Sequence, residues 1–168
     1  MQESDPHERA YSAALRFISS RPRTEGEVRL RLVKEYPAEV VDETLVRLKE
    51  EGHINDALYS RLWRQSRSSL HPRAARAVKR ELISKGVKSE TASEAVEGMD
   101  DAESAYRAAS KHARLLGSTD LRTFQRKMWG YLQRRGYSEG LTKRIAMKVW
   151  DDLHAGPPTG PEERSEDA

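Results

Sequence analysis

Residues 132–142 read LQRRGYSEGLT, and residues 82–92 read LISKGVKSETA. Each starts at a leucine, crosses three mostly polar or basic residues, reaches a glycine and then an apolar residue, and leaves through a polar stretch. A third leucine stands at position 32, so Leu32, Leu82 and Leu132 are spaced by 50 residues. After each turn, inward-type residues recur at i, i+1, i+4, i+5 and i+8. The three sets are Val40/Val41/Thr44/Leu45/Leu48, Thr91/Ala92/Ala95/Val96/Met99 and Leu141/Thr142/Ile145/Ala146/Val149. That spacing is the buried stripe of an α-helix. The first set precedes the second by 51 residues, not 50, and the first turn, KEYPA at 34–38, lacks the glycine. A turn one residue shorter is predicted there, and without the left-handed glycine cap the first unit is expected to pack at a different angle.

Working outward from these turns, each period holds three helical patterns. The first runs from about Asp5 to Ser20 with Tyr11, Ala14, Leu15 and Ile18 on one stripe. Thr24 and Glu27 have the spacing of a capping box before Val28, Leu32 and Val33. Pro37 is expected in the first turn of the third helix, which Gly52 ends. The second period starts at Asn55 or Asp56, with Leu58, Tyr59, Leu62 and Trp63 inside. Pro72 opens its next helix, which runs through Val78 and Leu82. The third period starts near Asp100 and Glu103, continues through Ala105, Ala109 and Leu116, and carries Phe124, Met128, Tyr131 and Leu132 on its middle helix. The expected fold class is all-α: three tandem three-helix repeats forming an elongated, curved array. The units are 1–54, 55–99 and 100–155, and 156–168, GPPTGPEERSEDA, is expected to be a disordered acidic tail.

Composition agrees with exposed helices. Of 168 residues, 36% are hydrophobic and 34% charged. The chain has no cysteine, which excludes disulfides and thiolate metal sites and fits a reducing cytoplasm. The opening MQESDPHERA has no apolar core, so no signal peptide is expected, and no apolar run is long enough for a membrane helix. Charge is unevenly spread. Residues 1–56 carry net −3, residues 57–148 net +11 and residues 149–168 net −5. A basic body between acidic ends points to a polyanionic or acidic partner.

Catalytic patterns are missing. The histidines at 7, 53, 71, 112 and 154 are scattered, and no HExxH, phosphate-binding glycine loop or GxSxG stands in the sequence. The chain reads as a non-enzyme without cofactor or metal. Its informative residues are basic. Between Ala57 and Arg80 stand Arg61, Arg64, Arg67, Arg73, Arg76, Lys79 and Arg80, with no acid among them. Arg61 and Arg64 are expected opposite Leu58, Leu62 and Trp63, and Arg73, Arg76 and Arg80 along one face of the following helix. The two helices would then show one continuous basic face. Between Leu121 and Ser138 stand Arg122, Arg126, Lys127, Arg134 and Arg135, again with no acid. Guanidinium forks pair with phosphate or carboxylate in two-pronged geometry. Trp63, Trp129, Tyr131 and Trp150 are expected in the core.

These features together resemble the recombination regulator family RecX. The matching stretches are AYSAALRFISSRPRTEGEVRLRL at 10–32, EEGHINDALYSRLW at 50–63, ELISKGV at 81–87 and KMWGYLQRRGYS at 127–138. Glu35–Tyr36–Pro37 departs from the lysine–glycine turn usual in that family. The resemblance implies a curved helical rod that lodges in the groove of the RecA–single-stranded DNA filament. It implies a cytoplasmic regulator, acting in DNA repair, recombination and the SOS response, that lowers RecA's strand exchange, ATP hydrolysis and co-protease activity. The expected partner is RecA in its filament, with single-stranded DNA itself a further candidate, no membrane, and a monomer as the working form. Three stacked units would span roughly 60–70 Å, enough for several weak contacts along a filament. The alternative from the residues alone is a helical DNA- or RNA-binding module acting without RecA, its affinity falling steeply with salt. A scaffold for an unrelated protein is the blandest reading.

Overall fold

The structure, a computed structural model, describes residues 5–155. These residues form nine α-helices and no strand: α1 (Pro6–Ser19), α2 (Glu25–Leu32), α3 (Ala38–Glu50), α4 (Asp56–Ser69), α5 (Ala75–Ser84), α6 (Ser89–Val96), α7 (Asp101–Leu116), α8 (Leu121–Arg134) and α9 (Glu139–His154). Within each successive three, every helix packs on the other two. The chain divides into two compact units, Met1–Asp100 and Asp101–Ala168. The first contains repeats one and two, and the second contains repeat three. The stretch 156–168, expected to be a disordered tail, lies outside the described residues.

Helix starts follow local chemistry. At α2 the Glu27 N–H donates to Thr24 Oγ1 at 3.1 Å, and Glu27 Oε2 accepts the Thr24 N–H at 3.2 Å, closing the capping box. Asn55, Asp120 and Ser138 cap α4, α8 and α9 by accepting the N–H groups of Leu58, Thr123 and Leu141. Two prolines sit earlier than expected. Pro37 is the N-cap of α3, not a residue of its first turn, and Pro72 lies in the loop before Ala74, the N-cap of α5.

The repeated glycine turn is a left-handed helix cap. Gly86 and Gly136 have φ of +84° and +89°. The next residue in each case, Val87 or Tyr137, donates its N–H back to Leu82 O or Leu132 O at 3.1 and 3.3 Å. This six-to-one closure requires a residue with positive φ, which glycine adopts without a Cβ clash. Repeat one closes differently. Tyr36 N–H reaches Leu32 O at 3.0 Å one residue sooner, and no residue in that turn has positive φ. The shorter turn removes the need for glycine.

The periodic positions form the core. Leu32, Leu82 and Leu132 are fully buried, and all five inward positions of both α3 and α9 are buried. In α6 only Ala92 and Ala95 are buried. That helix ends at Val96, so Met99 lies beyond it. Tyr137 is also fully buried, its hydroxyl 2.7 Å from Ser104 Oγ. A buried phenol needs such a partner to offset its lost hydration.

Three expected core residues face out: Val33, Leu58 and Leu62 are 47%, 44% and 55% exposed. The buried residue of α4 is Ser60. Tyr59 and Trp63, stacked with centroids 6.1 Å apart, pack on the second core in place of the two leucines. Two large rings bury more surface than two leucines, and they set the rotation of α4 about its axis.

Repeats one and two meet through the turn after α5. Gly26 packs on Gly86, the Thr24 hydroxyl donates to Lys85 O, and the Glu25 N–H donates to Asp56 Oδ1 at 2.9 Å. Asp56 thus caps the first turn of a helix in the neighbouring repeat. Burial raises its carboxyl above the usual range, opposed by that hydrogen bond.

Candidate functional site

The first basic cluster lies on α4 and α5, and it is divided. Glu81 follows the acid-free run immediately, and two N–H donors and a third guanidinium converge on it. Trp63 Nε1 donates to Oε2 at 2.8 Å, and Arg67 Nε donates to the same oxygen at 2.7 Å. Arg73 Nε lies 3.1 Å from Oε1. That last N–H is not aimed at the carboxylate, so the contact is charge attraction without an aligned hydrogen bond. Arg67 also lies over the Trp63 ring, with 4.6 Å from guanidinium carbon to centroid. Arg64 donates to Ala95 O at 3.2 Å and ties α4 to α6.

Arg64, Arg67 and Arg73 are therefore turned into the fold and occupied there. The continuous basic face expected across the two helices is interrupted at these three positions. Arg73 also precedes α5 and so does not share a helix with Arg76 and Arg80. Arg61, Arg76 and Arg80 are exposed, and Lys79 is half-buried. On α5, residues 76, 79 and 80 share the face opposite buried Ala77, Val78 and Leu82.

The second cluster is on α8, where two basic rows flank the buried stripe of Phe124, Met128 and Leu132. One row faces α9. Arg122, Gln125, Arg126 and Trp129 form one wall of an open groove of about 520 Å³, and Lys143, Ala146 and Met147 of α9 form the other. Lys143 Nζ lies 5.6 Å from the Trp129 centroid and pairs with Glu139 at 2.8 Å. The Gln125 amide donates to Met147 Sδ at 2.8 Å. Arg122 and Arg126 are exposed, and no carboxylate lines the groove.

The other row faces α7. His112 stacks on Tyr131 at 3.8 Å with the rings nearly parallel, and the Arg135 guanidinium lies 4.4 Å from the Tyr131 centroid. Burial holds the His112 imidazole below its ordinary pKa, and the positive charges of Arg135, Arg134 and Lys127 push the same way. Three of the residues picked from the sequence thus share one electropositive neighbourhood.

None of Trp63, Trp129, Tyr131 and Trp150 is fully buried. Their expected place in the core is corrected to its margin, where cations reach Trp63, Trp129 and Tyr131. Lys143 and Met147 were missed as site residues because the α9 wall lies outside the acid-free runs, and Trp129 because its ring was assigned to the core. Its signal was the spacing of Lys143 and Met147, one turn apart beside buried Ala146. A second groove, of about 500 Å³, runs between the Arg21–Pro22 turn and α4, with Tyr59, Trp63 and Lys85 in its lining. Among the described residues no group of three or more His, Asp or Glu is placed to hold a metal ion, and no helix is long and apolar enough to cross a membrane.

The chain matches known proteins along most of its length. Residues 10–48, 55–96 and 100–145 match the first, second and third three-helix domains of RecX. A regulatory protein RecX of Streptomyces coelicolor is 35% identical over 152 residues, spanning 88% of this chain and 81% of that protein. One from Thermobifida fusca is 34% identical over 155 residues, spanning 90% and 82%. The crystal structure of RecX from Lactobacillus salivarius shares the fold with a TM-score of 0.75 at 23% identity, covering 89% of this chain and 99% of that one. With three family domains matched in order and relatives above 30% identity across most of their own length, the chain belongs to the RecX family.

Proposed function

We propose that this chain is a non-enzymatic regulator that binds the RecA–single-stranded DNA filament and lowers RecA's recombinase, ATPase and co-protease activity. It acts in the cytoplasm as a monomer without cofactor. Residues 1–54, 55–99 and 100–155 serve as its three binding modules. The observation that supports this most is α8: four exposed cations on the helix and a half-exposed fifth, Arg135, at its C-cap, no acid among them, and aromatic rings beside them, in a chain of RecX ancestry. Arg61, Arg76, Lys79 and Arg80 are the corresponding contact residues of repeat two. Arg64, Arg67 and Arg73 act from behind, holding α4 against α5 and α6.

Weak contacts spread over several modules favour an assembled filament over a single subunit. The test is RecA-dependent ATP hydrolysis on single-stranded DNA with this protein added substoichiometrically. Hydrolysis should fall, and the charge reversals Arg76→Glu and Arg126→Glu should weaken the effect while circular dichroism stays helical. Unchanged hydrolysis with the cognate RecA sinks the reading. Tight, salt-sensitive DNA binding in that case would favour the second reading, a nucleic-acid module acting without RecA, which the Trp129 groove also fits.

A further inference from the structure

We propose that the α8–α9 groove is a nucleotide subsite, in which one base of a single-stranded nucleic acid stacks on the Trp129 indole and its neighbouring phosphates pair with Arg122 and Arg126. The inference rests on the proposed function in one respect only: it names which part of this protein touches the DNA of the filament.

The groove has the size and chemistry this ligand needs. Its volume of about 520 Å³ lies within the range of small-molecule sites. Trp129 is adjacent to the buried stripe of α8 yet only partly buried, and it lines the groove together with Ala146 and Met147. A planar ligand stacked there would bury the part of the ring that the fold leaves accessible. No acid lines the groove, and Glu139 is already taken up by Lys143. Neither the Arg122 nor the Arg126 guanidinium has an ion pair or side-chain hydrogen bond among the described residues. The positive charge facing the groove is thus uncompensated from within the described fold.

Register points to a nucleotide over a simple anion. Arg126 and Arg122 precede Trp129 by 3 and 7 residues on one face of α8, axial steps of about 4.5 and 10.5 Å. Residues 122 and 126 are thus about 6 Å apart along the helix axis, close to one nucleotide step of an unstacked strand. A base presents a flat aromatic face to the indole and brings its own phosphates to the arginine row. A carboxylate peptide would satisfy the arginines and leave the ring unused. Stacking on an aromatic side chain tolerates any base, as a partner without sequence preference requires.

The test uses the full chain and two 12-mer oligonucleotides, dT and its abasic counterpart, which share phosphates and differ only in bases. Affinities come from anisotropy across a salt series. The wild type should prefer dT by about 5- to 150-fold, the scale of one stacked base. Trp129→Leu should abolish that preference and leave abasic binding unchanged, while Trp129→Phe should keep part of it. Arg122→Gln with Arg126→Gln should weaken both ligands and flatten the salt slope by about 1.4. Far-UV circular dichroism and thermal unfolding of each variant separate lost stacking from lost fold.

Equal wild-type binding of the two oligonucleotides overturns the subsite, as does a preference that survives in folded Trp129→Leu. Displacement of dT by an oligoglutamate of equal charge, as effective as by unlabelled dT, also overturns it and assigns the groove to an acidic protein. RecA-dependent ATP hydrolysis, run in parallel, keeps the two readings apart. Lowered hydrolysis without base preference removes the subsite alone. Base preference without an effect on hydrolysis removes the filament reading alone.

Discussion

Gly26 and Gly86 touch backbone to backbone, and through them repeat one rests on repeat two. A Cβ placed on Gly26 would lie 2.5 Å from Gly86 O and 2.6 Å from its Cα. Both obstacles are main chain, which cannot rotate aside as a side-chain tip would. Gly26→Ala should therefore destabilise the first unit by about 1–3 kcal/mol, read as a lower urea midpoint. Gly140→Ala is the matched control. It sits in the first turn of α9 with nothing within 4 Å of the new Cβ, and it should be neutral or stabilising by up to about 1 kcal/mol. Equal effects of the two changes would refute the close approach.

Glu81 should prove a stability residue in a region that reads as a binding surface. Glu81→Ala leaves the Trp63 indole N–H and the Arg67 and Arg73 guanidinium groups without their carboxylate. The expected cost is about 1–3 kcal/mol. Arg61→Ala and Arg80→Ala, both exposed, should stay within about 0.5 kcal/mol of wild type in stability. Their effect belongs in partner binding. Thermal unfolding of the three variants side by side checks the division.

The third repeat should weaken in mild acid. His112 is depressed by burial and by Arg135, Arg134 and Lys127, so the unfolded chain takes up a proton more readily than the folded one. The stability tied to His112 is present above the unfolded histidine pKa of about 6.5 and is lost as pH falls through the lower folded value. His112→Gln should flatten this part of the profile. Denaturant midpoints between about pH 7.5 and 5.5 measure it, and a wild-type profile identical to that of His112→Gln would count against the electropositive neighbourhood.

Two leucines of equal size should behave oppositely. Leu132 is fully buried and Leu62 is 55% exposed. Leu132→Ala should cost about 2–5 kcal/mol, and Leu62→Ala about 0.5 kcal/mol or less. Tyr137→Phe, which removes the hydroxyl bonded to Ser104, should fall between them at about 1 kcal/mol. Circular dichroism melts would order the three.

The repeat itself was legible because a helix that buries one face must repeat its apolar residues every three or four positions. The ten positions picked on α3 and α9 are all buried for that reason. The capping box at Thr24 and the glycine turns were equally readable, since both are local chemistry with few solutions. Basic composition and its place between acidic ends were also plain. Family membership followed from four short motifs in order.

Tertiary structure decided what two stripes of similar hydrophobicity left open. On α4, Leu58/Leu62 and Tyr59/Trp63 fit the same spacing, and only the partners on α5 and α6 select the rings. Glu81 lies one residue past the acid-free run, so the run looks free of compensation until α5 folds back and brings that carboxylate to Trp63, Arg67 and Arg73. The Trp129 groove is likewise a product of packing: its walls are 14 residues apart in sequence, Trp129 to Lys143, and meet only when α9 docks on α8. Periodicity tells a helix which face is apolar. It carries no information about which neighbour covers that face, and that is what makes one arginine a strut and another a contact.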